Sequence, residues 1–81
     1  MKPMTAEEVK AKVKDFNYIW VHIFGTHYDC EFDDLFCLQV RSISEYGIDL
    51  QTVWEEMYLD FDDYGKTWNV YEDNPWKEEQ K

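Results

Sequence analysis

The longest apolar run of the chain, YIWVHIF at residues 18–24, is the feature that most restricts the fold. Its aromatic and β-branched residues favour a strand. Trp20, Ile23 and Phe24 also continue a helical spacing that starts at Phe16, so a helix is the alternative. We favour the strand, and Gly25 ends the element under either interpretation. The run is too short to span a bilayer as a helix, which takes ~20 apolar residues.

The residues before this run predict a first helix over residues 6–16. The sequence TAEE at residues 5–8 is a capping box, with Thr5 as the N-cap and Glu8 at the third helical position. Apolar side chains then recur at helical spacing, at Ala6, Val9, Val13 and Phe16.

A second helix is predicted from the polar loop that follows Gly25. Asp33 or Asp34 can cap this helix, which would run through Tyr46. Its inward side chains would be Phe36, Val40 and Ile43. Apolar and polar residues also alternate over residues 36–43, so a strand is a serious rival there.

A third helix is predicted after the sequence EYGID. Gly47 suits the left-handed position that ends a helix, and Asp49 can cap the next one. This helix would run through about Phe61, followed by a turn at residues 62–65. Its buried stripe would consist of Leu50, Val53, Trp54, Met57 and Phe61.

These elements predict one α+β domain over residues 1–81, with three helices and a small two- or three-stranded antiparallel sheet. Residues 18–24 and 67–71 would form the sheet. The alternative is an all-α three-helix bundle in which the first helix continues to Phe24. The segment NPWKEEQK at residues 74–81 predicts a frayed tail. An 81-residue chain suits a single domain, and its 19% aromatic residues can supply one core.

Charge restricts the partners of this domain. The net charge is −10, and residues 29–81 contain fifteen acidic and four basic residues. Phosphate backbones and anionic membranes would be repelled, so direct binding of nucleic acid or membrane is not expected. Basic protein surfaces would be attracted.

The N-terminus and the cysteines predict a cytoplasmic protein. MKPMTAEEVKAK lacks the apolar segment of a secretory signal. Cys30 and Cys37 are too few for a disulfide framework. A reducing compartment is therefore the expected location.

The stretch YLDFDDYGKTW at residues 58–68 suggests a calcium loop. Asp60, Asp62 and Gly65 match positions 1, 3 and 6 of an EF-hand. Tyr64 at position 5 and Tyr71 at position 12 supply no carboxylate. Because position 12 must hold a bidentate glutamate, we favour a charged helix end with a turn over calcium binding here.

Zinc binding and catalysis find little support in the sequence. The residue types of His22, His27, Cys30 and Cys37 suit zinc, but their spacing matches no common zinc motif. The sequence contains no phosphate-binding glycine loop, HExxH or GxSxG motif. We therefore predict a protein that is not an enzyme and holds no cofactor.

The acidic residues themselves are the remaining candidate site. Between residues 49 and 63 there are six acids and no base. In a helix they would give about one charge per 4 Å, close to the phosphate spacing of one DNA strand. With neighbouring acids and aromatics, the predicted partner-binding residues are Asp29, Glu31, Asp33, Asp34, Glu55, Glu56, Asp60, Asp62, Asp63, Tyr64, Trp68, Glu72 and Asp73.

In size, charge and aromatic content the chain resembles small acidic inhibitors of phages and mobile elements, which imitate DNA to block restriction, CRISPR or repair enzymes. The likeness carries no residue over. It implies an inhibitor whose carboxylates replace phosphates in the basic cleft of a nuclease or another nucleic-acid-binding protein. The alternative is an interaction module with a hydrophobic interface, as a homodimer or assembly subunit. A small metal-binding domain ranks third.

Overall fold

The computed structural model of the protein describes residues 2–53 and 56–76. In this part of the chain there are one α-helix and five strands. The order is α1 (Ala6–Lys12), β1 (Tyr18–His27), β2 (Cys30–Ile43), β3 (Gly47–Gln51), β4 (Glu56–Asp60), a 3₁₀ turn (Phe61–Asp63) and β5 (Trp68–Tyr71). The strands form one antiparallel sheet in the order β4-β3-β2-β1-β5. No helix of the described residues is long and apolar enough to cross a membrane.

The predicted fold is therefore wrong in its balance of helix and sheet, and so is the all-α alternative. The first helix is confirmed with its capping box, although it ends at Lys12 rather than at residue 16. The strand predicted at residues 18–24 lies within β1, and the strand predicted at residues 67–71 corresponds to β5. The second helix is replaced by β2, in agreement with the rival strand, and the third by β3 and β4.

The register of β3 and β4 explains why a helix was predicted there. Leu50 lies opposite Met57, and Ile48 lies opposite Leu59. Residues that face each other across this hairpin are seven or eleven positions apart in sequence. Those separations also fit the face of a helix, so the apolar pattern alone does not distinguish the two structures.

The long β1–β2 hairpin turns through only two residues. Tyr28 and Asp29 both have positive φ, 52° and 64°, between the paired His27 and Cys30. This is the geometry of a type I′ turn, which matches the twist of the flanking strands but normally selects Asn-Gly. The turn therefore holds two residues that are not the favoured ones for its backbone conformation.

A β-bulge between Val40 and Ser42 keeps Ile43, near the end of β2, on the core face. The register with β3 shifts at this point, so that Val40 pairs with Leu50 and Ile43 pairs with Ile48. All four side chains consequently point to the same face of the sheet. Without the extra residue, Ile43 would face the opposite side.

The core lies on one face of the sheet. Helix α1 covers it with Val9, its C-cap residue Val13 is also buried, and Phe61 and Tyr64 pack against this core. Trp68 of β5 is fully buried at the centre, and its Nε1–H donates to the Asp60 carbonyl oxygen at 2.9 Å. The buried apolar residues are Met4, Val9, Val13, Ile19, Val21, Ile23, Val40, Ile48, Leu50, Leu59, Trp68 and Val70.

Gly47 is required where Tyr58 crosses the sheet. A Cβ atom at this position would contact the Tyr58 hydroxyl and, at 2.5 Å, the Leu59 carbonyl oxygen. We expect Gly47→Ala to destabilise the fold by about 1–3 kcal/mol, since the backbone oxygen can move only with its strand. Urea denaturation measures this, with Glu45→Ala at an exposed neighbouring position as the control. Equal stability of the two variants would contradict the packing.

Candidate protein-binding surface

The face of the sheet opposite the core, here called the outer face, is left uncovered over most of its area by the described residues. On β1 the even-numbered side chains point to it, because Ile19, Val21 and Ile23 point to the core. The residues opposite them in β2 and β5 follow the same alternation. The outer face therefore receives every second side chain of the sheet, and those side chains decide what it can bind.

Aromatic rings concentrate on the β1 and β5 part of the outer face. Their six residues, called the aromatic patch, are Tyr18, Trp20, His22, Phe24, Tyr71 and Trp76. The Tyr18 side chain is 69% exposed and that of Trp76 is 40% exposed. The other four side chains of the patch are half-buried against one another. Exposed contiguous apolar surface of this kind marks interaction sites on small soluble proteins.

His22 holds the centre of the aromatic patch in place. Its ring lies 4.8 Å from the Phe24 ring and 6.0 Å from the Trp76 ring, measured between centroids. Its Nε2 atom lies 2.7 Å from Asp33 Oδ1 on β2. The carboxylate thus fixes the imidazole, which in turn positions two aromatic neighbours.

The chain after β5 contributes to this patch. The Asn74 side chain accepts a hydrogen bond from the Trp76 amide at 3.0 Å, and Pro75 is buried. This turn carries the Trp76 ring to His22. Of the predicted frayed tail, residues 74–76 therefore make defined contacts, and residues 77–81 lie outside the described residues.

Acidic residues border the aromatic patch on the β2, β3 and β4 side. The five on the outer face are Glu31, Asp33, Asp49, Glu56 and Asp60. Arg41 at the bulge reaches the same face, where its Nη1 atom lies 2.9 Å from Gln51 Oε1 and 2.6 Å from Glu56 Oε1. Tyr58, 52% exposed, lies among these acids opposite Asp49. The outer face is thus aromatic on one side and negative on the other.

Two aromatic residues predicted to bind a partner are structural instead. Trp68 has no exposed surface, so it cannot touch a partner while the fold is intact. The Tyr64 hydroxyl donates to the Met4 carbonyl oxygen and accepts a hydrogen bond from the Val70 amide at 3.0 Å. It ties the N-terminal segment to β5. Both rings face the core because the chain crosses that face between β4 and β5.

The predicted acidic residues do not form one cluster. Asp29, Glu31, Asp33 and Asp34 lie at the turn end of the β1–β2 hairpin. Glu72 and Asp73 follow Tyr71, whose partner Trp20 is eight residues from that turn. The rise of a strand places these two groups roughly 25 Å apart.

The loss of the third helix also changes the remaining acids. Glu56 and Asp60 lie on the edge strand β4, whereas Asp62 and Asp63 belong to the following 3₁₀ turn. Glu55 lies outside the described residues. The predicted density of one charge per about 4 Å assumed a helical rise, so it does not apply to these strands. Two of the acids are also paired with bases, since Arg41 contacts Glu56 and Lys12 contacts Glu72 at 3.2 Å.

The four candidate zinc ligands point to opposite faces of the hairpin. His22 and Cys37 lie on the outer face, whereas His27 and Cys30 lie on the core face near the turn. His27 Nε2 donates to the Phe24 and Thr67 carbonyl oxygens at 3.1 and 3.2 Å. Within the described ranges no group of three or more His, Cys, Asp or Glu side chains is arranged to hold a metal ion.

A cleft of about 240 Å³ opens on the core face beside β2. Its lining is almost entirely apolar, and consists of Ile23, Phe32, Phe36, Leu38, Thr52, Val53 and Met57. A cleft without converging charged or hydrogen-bonding groups favours contact with apolar side chains over chemistry on a polar substrate.

No known protein family, curated protein or solved structure matches this chain. Function must therefore be inferred from the geometry of these surfaces.

The aromatic patch was not among the predicted site residues, although the sequence contains a signal for it. Trp20, His22 and Phe24 alternate with Val21 and Ile23. Once residues 18–24 are read as a strand, this alternation puts three rings on one face. Tyr71 joins them only through the β1–β5 register, which the sequence does not display.

Burial of Tyr64 yields a prediction about stability and pH. Desolvation raises the pKa of the Tyr64 phenol, despite the opposing hydrogen bond from the Val70 backbone. The folded state thus holds this proton more tightly than the unfolded state, where tyrosine ionises at about pH 10. The contribution to stability is complete below that pH and is lost as the pH rises through the higher folded pKa.

We expect Tyr64→Phe to lower the free energy of unfolding by about 1–3 kcal/mol at neutral pH, because the Val70 amide loses its acceptor. The difference between wild type and variant should then shrink above pH 10. Urea titrations at a series of pH values measure it. Tyr46→Phe, at an exposed position, is the control; a pH-independent difference for Tyr64→Phe would contradict the argument.

Proposed function

We propose that this protein is a non-enzymatic binding module whose outer face docks onto a basic protein. The observation that carries the proposal is the aromatic patch beside five carboxylates, on a face of the sheet that the described residues leave largely uncovered. Rings supply contact area at low entropic cost, and carboxylates select the charge of the partner.

The size of the outer face suits a specific interface. Five strands spaced about 4.8 Å apart, with strands of four to fourteen residues, give a face roughly 20 Å by 25 Å across. A stable interface buries about 800 Å² of accessible surface on each partner. Side chains that stand above this face bring the available area into that range. Trp20 and Phe24 both belong to the aromatic patch, and aromatic residues that become buried in an interface contribute strongly to binding.

Charge makes a basic partner the expected occupant. The outer face carries five carboxylates and one guanidinium group, that of Arg41. The whole chain carries a net charge of −10, which would attract a basic partner over the Debye length. A second copy of this chain would bring the same negative charge to the interface, so homodimerisation through this face is opposed.

A reducing compartment such as the cytoplasm suits this module. Cys30 and Cys37 are both exposed thiols. They lie seven residues apart on one strand and point to opposite faces, so they cannot bond to each other.

Inhibition of a nucleic-acid-binding protein is the second candidate function. Glu31 and Asp33 present carboxylates two strand residues apart, about 6.6 Å, on the same face. These carboxylates could occupy phosphate positions in a basic cleft. The linear density of carboxylates along β2 is about half the density of phosphates along a DNA strand. We therefore rank this mechanism below aromatic docking with charge selection.

The aromatic half of the proposal is tested by replacing two rings of the aromatic patch. Trp20→Thr with Phe24→Thr keeps strand propensity and removes the contact area. We expect proteins captured from a cell lysate by wild type to be basic. The variant should bind each purified partner at least about tenfold more weakly. Tyr46→Ser, which removes an exposed ring outside the sheet, should bind normally. Unchanged affinity of the double variant, or a stable homodimer in sedimentation, would overturn the proposal.

The electrostatic half is tested with Glu31→Gln, Asp49→Asn and Asp60→Asn combined. This variant leaves the Arg41–Glu56 and His22–Asp33 pairs in place. Its affinity for the purified partner should fall mainly at low salt, so that its salt dependence is flatter than that of wild type. Competition by a DNA duplex would favour the inhibitor mechanism. Binding that is insensitive to salt in wild type would remove both electrostatic arguments.

A further inference from the structure

The β2 strand has an edge that no described strand pairs with. Strand β3 covers β2 only from Gln39 to Ile43, whereas β2 begins at Cys30. Among the described strands, β1 is the one that pairs with residues 30–38 of β2. The hairpin therefore extends beyond the paired length of β3, and these nine residues form a strand edge without a partner strand in the described part of the chain. Such an edge is a template for pairing with another chain.

The direction of the free backbone groups follows from the two-residue turn. His27 and Cys30 flank this turn and form a hydrogen-bonded pair, and such pairs alternate with non-hydrogen-bonded pairs along the ladder. The amides and carbonyls of Glu31, Asp33, Leu35 and Cys37 consequently point away from β1. The same alternation is seen on β1, where the Phe24 amide turns away from Asp33 and donates to the Thr67 carbonyl oxygen at 2.9 Å.

The two sides of this edge differ in chemistry. On the core side the cleft of about 240 Å³ presents Phe32 and Phe36 beside Val53 and Met57. On the outer side Glu31 and Asp33 present carboxylates, and Asp33 is 81% exposed although it contacts His22. A strand laid along the edge would place alternate side chains into these two environments.

We propose that the β2 edge binds an extended segment of a partner protein in which basic and apolar residues alternate. Backbone groups of the segment pair with Glu31, Asp33, Leu35 and Cys37. Its apolar side chains enter the cleft, and its lysines or arginines meet Glu31 and Asp33. This inference stands on the strand edge and does not require the outer-face proposal.

A second copy of the chain fits this edge poorly. Antiparallel pairing of two β2 edges about Asp34 would place Asp34 opposite its own copy and Asp33 opposite Leu35. Like charges directly opposite each other destabilise a sheet. Three acids within residues 31–34 on each copy therefore oppose self-pairing, whereas a basic strand relieves the repulsion.

The test uses a synthetic seven-residue peptide of alternating lysine and valine, with capped termini, and the full chain. We expect binding by calorimetry, together with slower hydrogen exchange of the amides of Glu31, Asp33, Leu35 and Cys37. A peptide of the same composition with its valines grouped should bind at least about tenfold more weakly. The alternating peptide with methyl groups on the backbone nitrogens that face β2 should also bind at least about tenfold more weakly, although it retains the charge.

A backbone variant supplies the matched control in the protein. Leu35→Pro removes one outward amide without removing a β1–β2 hydrogen bond, which edge strands tolerate. Leu35→Ala also removes most of the leucine side chain but keeps the backbone amide. We expect the proline variant to bind the peptide several-fold more weakly than the alanine variant.

The proposal is overturned if the grouped and methylated peptides bind as well as the alternating one, because charge alone then explains binding. These peptide comparisons use wild-type protein, so they remain decisive even if Leu35→Pro does not fold. Protection of amides on β4 or β5 instead of β2 would likewise overturn it. Trp20→Thr with Phe24→Thr should retain peptide binding, which separates this inference from the outer-face proposal.

Discussion

Trp68 connects the two edges of the sheet, and the curl of the sheet follows from this connection. Its strand, β5, forms one edge of the sheet, yet its indole donates a hydrogen bond to Asp60 at the end of β4, the opposite edge strand. In a flat sheet those edges would be about 19 Å apart. The sheet must therefore curl, and the chain after Asp60 must cross the core face, for this bond to form. Phe61 and Tyr64 pack their rings on the indole, with centroids 5.4 and 4.8 Å from it.

The described elements that cover the sheet lie on its core face. Helix α1 and the crossing segment at residues 61–64 both lie over the core face. The described residues contain no further element that could cover the five-stranded sheet. Among them, the outer face is covered by its own side chains and by the turn that brings Trp76 to His22. Rings of the aromatic patch therefore stay partly exposed in this part of the chain.

Local signals in the sequence predicted the local structure. The capping box at Thr5 and the aromatic, β-branched run of β1 each depend on neighbouring residues, and both appear in the fold. Strands β2, β3 and β4 depend on long-range pairing. The bulge places Val40 and Ile43 on one face, and their separation of three residues also fits a helix. Sequence periodicity does not contain the register that resolves this ambiguity.

The candidate site was predictable to a similar extent. The excess of acids and aromatics indicated a binding protein, but the grouping of these residues depended on an incorrect helix. Tyr64 directly follows two aspartates and Trp68 lies four residues later, which suggested exposure, whereas both rings pack in the core. Trp20, Phe24 and Tyr71 became neighbours only through strand pairing. Charge can be counted from a sequence, but the face that carries it follows from the register.

The two proposed surfaces meet on a single set of residues in β2. Glu31, Asp33, Leu35 and Cys37 direct their backbone groups to the open edge and their side chains to the outer face. A strand added at this edge would therefore also widen the outer face, next to the aromatic patch. One basic partner could contribute an extended segment to the edge and a surface to the rings. The second contact would then be intramolecular, so two individually modest interactions would reinforce each other through effective concentration.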